Sequence, residues 1–187
     1  MRVLRASRAA TSRVSVAAMR VPNGEISRRF LLSLTAALLA APAPHPASAV
    51  ASSRGQQLQI FDVAASELDR RSFRGLQLSN GLRVLLCSDP EAKKAAASMN
   101  VAVGSMANPE EWPGLAHFCE HMLFLGTKRF PDEGEFERYI SSNGGSNNAF
   151  TGAEDTNYYF DCGGDALPGA LERFSGFFSE PLFTSSG

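Results

Sequence analysis

No apolar stretch in the 187 residues approaches the ~20 residues that a membrane-spanning helix needs; the run from Phe30 to Ala41 has only 12. Cysteine is scarce. Cys87, Cys119 and Cys162 are odd in number and form no C-x-x-C, which excludes a disulfide framework and the common thiolate zinc and redox patterns. Histidine is scarcer in effect, because His45 falls in an Arg-rich N-terminal stretch and leaves His117 and His121 for any imidazole chemistry in the rest. Past residue 49 there is no cluster of Lys and Arg, so a nucleic-acid partner is not expected.

The formal net charge of −1 hides two compositions. Seven of the 18 basic residues and one of the 19 acidic ones, Glu25, lie in residues 1–49, leaving that segment at +6 and residues 50–187 at −7. Only the second segment holds more than one aromatic residue, and its 138 residues suit a single domain with a real core. Residues 1–24 are rich in Arg, Ala, Ser and Val without an acid, as in organelle transit peptides. Arg28-Arg29, the short apolar run and Ala47-Ser48-Ala49 then follow in the order of a twin-arginine export signal with its cleavage site. Residues 1–49 are read as a removable leader, and no membrane span is expected once it is gone. Two signals in series favour a plastid and its thylakoid lumen. A single secreted or periplasmic-like signal beginning at Met19 and a mitochondrial presequence are the alternatives.

In the remainder, Asn80-Gly81 between apolar runs marks a β-hairpin. Ala96 to Val103 reads as a strand, and 113–125 as a helix entered at Pro113 and stopped at Gly126. Leu115, Phe118, Met122 and Leu125 recur on the helical period and predict its buried face. A second helix is expected over 132–142, capped by Asp132 with Glu135 reaching back, and buried through Phe136, Tyr139 and Ile140. Residues 148–151 and 156–162 read as short strands, and 166–179 as a third helix ended by Pro181. Strands and helices mix without strict alternation, which predicts an α+β fold with one mixed sheet packed against helices.

The first helix carries His117-Phe118-Cys119-Glu120-His121, an H-x-x-E-H pattern. At ~100° per residue, His117 and His121 stand one turn apart and only ~40° apart around the axis, so both imidazoles can reach one ion. Glu120 projects along a neighbouring line and can face a metal-bound water without ligating the ion. Zinc with an open position lowers the pKa of its water to ~7, and a carboxylate base then takes the proton as the water attacks a carbonyl. This is the metalloprotease pattern H-E-x-x-H with the helix polarity reversed. The alternative, two imidazoles and a carboxylate falling by chance on an amphipathic helix, is weakened because the pattern uses both histidines of the domain.

The segment from Gly114 to Thr127, GLAHFCEHMLFLGT, closely resembles the zinc helix of insulysin-like peptidases, the insulin-degrading enzyme and nardilysin branch of the pitrilysin family. The likeness continues through Tyr139, through 145–151, GSNNAFT, through 156–161, TNYYFD, and into Leu171-Glu172-Arg173-Phe174. It covers roughly 76–183.

The resemblance implies the fold of the family's N-terminal domain, one Zn2+ ion held by His117 and His121, and Glu120 as general base. It implies that Asn148 and Ala149 lie on the edge strand that receives the substrate backbone, with Phe150 lining the cleft. Core packing is the competing role for Phe150. Cys119 is open between a thiol that makes activity reagent-sensitive and a small buried apolar residue. The family's third ligand, a Glu, falls beyond Gly187; Glu172 and Glu180 occupy positions the family does not use. A missing C-terminal half or partner domain is likewise needed to close a chamber around the peptide substrate.

Two functions follow as expectations. One is the catalytic portion of a zinc endopeptidase acting on short or unfolded peptides. The other is a catalytically incompetent peptide-binding fragment or a processing-peptidase-like subunit. The 187 residues alone are expected to be inactive for want of the third ligand.

Overall fold

A computed structural model describes residues 13–15 and 59–183. Apart from Arg13–Ser15, the leader read at 1–49 and its cleavage site lie outside the described residues. In chain order the strands are β1 (Arg13–Ser15), β2 (Gln59–Phe61), β3 (Ser72–Gln77), β4 (Arg83–Ser88), β5 (Lys94–Val101), β6 (Asn147–Thr151) and β7 (Thr156–Gly163). The helices are α1 (Leu115–Leu123), α2 (Glu135–Ser142) and α3 (Leu167–Ser179). The architecture is α+β, as the mixed pattern of elements implies.

The sheet order is β2-β3-β4-β1-β5-β7-β6. It consists of two antiparallel three-stranded halves, β2-β3-β4 and β5-β7-β6, joined through β1, which runs parallel to β4 and antiparallel to β5. The β3–β4 hairpin turns at the expected Asn-Gly. Gly81 takes φ of 87°, and Asn80 Oδ1 accepts the Leu82 N–H at 3.0 Å. β6 ends the sheet, with β7 on one side and no strand on the other among the described residues.

α2 and α3 cover one face. Val84, Leu86, Ala97 and Phe160 of the sheet are buried against Phe136 and Ile140 of α2 and against Leu167, Phe174 and Phe177 of α3. Phe136 meets Phe160, Phe174 and Phe177 at centroid distances of 5.8, 6.1 and 5.0 Å. Each fully buried Phe contributes roughly 1.5–3 kcal/mol, so this aromatic cluster is the main adhesive between helices and sheet. Gly145 lets α2 end directly against β7. A Cβ there would stand 1.9 Å from the Asp161 carbonyl oxygen, while the Gly145 N–H donates to the Ile140 carbonyl at 3.0 Å.

The start of α2 differs from the expected capping box. Asp132 Oδ1 accepts the Gly134 N–H at 3.1 Å, and that bond first, then Arg138, holds the Asp132 carboxyl below its usual range. Glu135 does not reach back. It accepts from Arg173 Nε at 2.7 Å, and the Arg173 guanidinium lies over the rings of Tyr139 and Phe130 at 4.0 and 4.3 Å. A mostly buried guanidinium with two aromatic walls is a stronger partner for the carboxylate than one exposed backbone N–H, and the pair ties α2 to α3.

α1 lies apart from these two helices, beside β6. It begins at Leu115, two residues after Pro113, because Gly114 turns the chain at φ of 91°. Asn108 Oδ1 then accepts the Ala116 N–H at 2.9 Å, satisfying a free donor of the first turn. At the other end Phe124 packs on Phe177, Tyr158 and Phe136, anchoring the helix to the core, and Gly126 at φ of 104° turns the chain away.

The buried face of α1 is not the expected one. Met122 and Leu123 are buried, but Leu115 and Phe118 are 44% and 59% exposed, and the third buried residue is Glu120. The helix meets the edge strand β6 through Glu120, and Leu115 and Phe118 remain uncovered.

Candidate metal centre and peptide-binding edge

One regular turn of α1 brings His117 Nε2 to 3.1 Å from His121 Nε2, with ring centroids 4.7 Å apart. Ligands held at 2.0–2.1 Å around tetrahedral zinc stand about 3.3 Å from one another, so the imidazole spacing fits one small cation. A Glu120 carboxylate oxygen completes a group of three potential donors, all within 4.8 Å of one another. Among the described residues this is the single such group. Glu172 pairs with Arg129 instead, and Glu180 joins no cluster.

The three side chains differ in environment. Both histidines are exposed, whereas Glu120 is only 6% exposed. A buried carboxylate requires a donor. Thr151 at the end of β6 supplies one, its hydroxyl donating to Glu120 Oε2. Thr151 carried no signal in the sequence reading beyond its place at the end of a strand. Tyr158 on β7 faces the same region; burial first, and then the charges of Cys119 and Glu120, push its phenol well above the usual range, so it stays protonated.

Cys119 is exposed on α1, not the buried apolar residue that was one of its two expected roles. Desolvation by the surrounding protein raises its thiol above the ordinary value, which disfavours the thiolate a metal would need.

Asn148, Ala149 and Phe150 sit together on the free edge strand β6. The strand alternates, so Asn147, Ala149 and Thr151 are partly buried while Asn148 and Phe150 are exposed. Phe150 is 52% exposed and takes no part in the core, which removes its packing role. Asn148 Oδ1 accepts the Ala149 N–H at 2.9 Å, so an arriving strand must displace the Asn148 side chain before it can use that donor. Thus α1 presents two imidazoles and a buried carboxylate within reach of an open strand edge, an arrangement able to hold a cation next to an extended peptide.

The chain is similar to known proteins in both sequence and fold. The profile of the family described as Insulinase (Peptidase family M16) matches residues 83–187. The chain is 52% identical over 124 residues to the insulin-degrading enzyme of Mus musculus, covering 66% of this chain and 12% of that protein. It is 53% identical over 116 residues to a Schizosaccharomyces pombe protein whose name includes the words zinc protease, covering 62% of this chain and 12% of the other. The crystal structure of pitrilysin superimposes with a TM-score of 0.67 at 39% identity, over 71% of this chain and 14% of that one. The chain therefore spans about an eighth of the length of the curated relatives it matches.

Proposed function

The chain belongs to the insulinase family of peptidases, M16, and from that membership we propose that it forms the metal-binding part of a zinc endopeptidase that cleaves short or unfolded peptides. The observation that carries this reading is the convergence of His117, His121 and the buried Glu120 within 4.8 Å, beside a strand edge that has no partner among the described residues. His117 and His121 hold the ion through Nε2. A third protein ligand, a carboxylate, comes from polypeptide beyond these 187 residues, so the 187-residue chain alone holds zinc weakly and turns over little.

When bound, zinc polarises the scissile carbonyl and acidifies a water. Everything else falls to the chain. β6 receives the substrate backbone along its free edge once Asn148 releases the Ala149 N–H, and Phe150 offers an exposed apolar surface to a substrate side chain. Glu120 accepts the water's proton at Oε1, since Oε2 is held by Thr151, and returns it to the departing amine. The edge favours extended peptides over folded proteins, because only an extended backbone can add as a strand.

The test is metal removal. The full-length protein cleaves a short internally quenched peptide, loses turnover when a chelator strips its metal, and regains it with stoichiometric zinc. Turnover indifferent to chelation would overturn the assignment.

Residues 1–49 are proposed as a leader removed near Val50, with a plastid and its thylakoid lumen as destination. Removal takes β1 out of the sheet and frees the facing edges of β4 and β5 for another strand, because buried backbone groups need partners. N-terminal sequencing of protein from its source is expected to begin near Val50. A mature chain beginning at Met1 would contradict this.

A further inference from the structure

We infer that Thr151 is the positioning residue of Glu120, fixing one carboxylate oxygen so that the other faces the reacting water. The inference rests on the peptidase reading above and deepens it. Glu120 is the one buried member of the metal-site trio, and its hydrogen-bond donor comes from a different element, the last residue of β6. A Glu side chain has three rotatable bonds, and nothing in the helix itself selects the rotamer that points its carboxylate at the ion. An ionised carboxylate can only accept, so in this pair the Thr151 hydroxyl is the donor. The geometry thereby divides the carboxylate: Oε2 is engaged and Oε1 is left to exchange protons.

The anchor is itself held. Thr151 pairs across the ladder with Thr156, whose hydroxyl is turned away to the Val103 carbonyl at 2.8 Å. Two threonines thus end the hairpin side by side, and Thr151 is the one that serves the carboxylate. The turn that follows is fastened to the loop before α1. The carbonyls of Gly152 and Ala153 accept the Ser105 and Met106 N–H groups, each at 2.9 Å. Gly104 permits this contact, since a Cβ there would come within 2.6 Å of the Ala153 carbonyl. The strand that receives substrate and the residue that orients the base are one rigid piece. Seating a peptide on β6 and aligning Glu120 are therefore coupled through a single residue spacing, from Ala149 to Thr151.

The experiment compares Thr151→Val, which keeps the shape and removes the hydroxyl, with Thr151→Ser, which keeps the hydroxyl. In the zinc-loaded full-length protein Thr151→Val is expected to lower kcat by about 10- to 100-fold with KM and zinc content within about twofold, a fraction of the full value of a general base. Thr151→Ser should recover most of that loss. A second readout uses the zinc-free protein. Thr151→Val should lower Tm in the native background, and by less than half as much in a Glu120→Ala background, because the two side chains interact. Turnover that survives Thr151→Val, failure of Ser to rescue, or equal Tm losses in both backgrounds would overturn the role of Thr151 while leaving the peptidase reading intact. Absence of turnover in the unsubstituted protein would overturn the peptidase reading, and this role with it.

Discussion

Glu120→Gln in the full-length protein is expected to abolish peptide hydrolysis while leaving zinc bound. The amide has nearly the shape of the carboxylate and can still accept the Thr151 hydroxyl bond, so α1 and β6 keep their relation. What it loses is the ability to accept a proton near neutral pH. General-base catalysis contributes about 10²- to 10⁴-fold, and the loss should reach the upper part of that range because no other carboxylate among the described residues joins the group and the third-ligand carboxylate is occupied by the ion. Zinc content measured after desalting should match that of the unsubstituted protein. Loss of metal together with activity would show that Glu120 ligates the ion and is not a free base.

His117→Ala should fail in a different way, losing metal and turnover together. The two Nε2 atoms 3.1 Å apart are the only imidazole donors at the site among the described residues, and removing one leaves zinc with His121 and whatever ligand lies outside them. Two protein ligands hold zinc weakly. A large excess of zinc should restore part of the turnover, since the base and its anchor are untouched. The same excess should do nothing for Glu120→Gln. That contrast separates a ligand defect from a base defect in one titration.

Much of this was legible in the sequence because it is written in local periodicity. The H-x-x-E-H spacing alone places three donors on adjacent lines of a helix, and the structure brings them together as that spacing requires. The hairpin at Asn80-Gly81 and the helix ended by Pro181 are likewise local signals.

What periodicity cannot say is what covers a face once it forms. Leu115 and Phe118 share a stripe with Met122, yet they stay uncovered while Met122 is buried. Glu135 matched a capping box, but a guanidinium held between two rings from another part of the chain outcompeted the local bond. The pairing of Thr151 with Glu120 was not legible because the two lie 31 residues apart and only the packing of α1 on the strand edge brings them together. The peptide-binding edge was inferred from resemblance, and the structure adds its physical basis: β6 ends the sheet, and Asn148 occupies the donor that a substrate would use.

The most direct measurement is X-ray absorption at the zinc edge of the full-length protein. The expected shell is nitrogen and oxygen near 2.0–2.1 Å with two imidazoles, unchanged in Glu120→Gln and reduced to one in His117→Ala reloaded with excess zinc. A sulfur scatterer near 2.3 Å, which would bring in Cys119, or an imidazole count indifferent to His117, would contradict it.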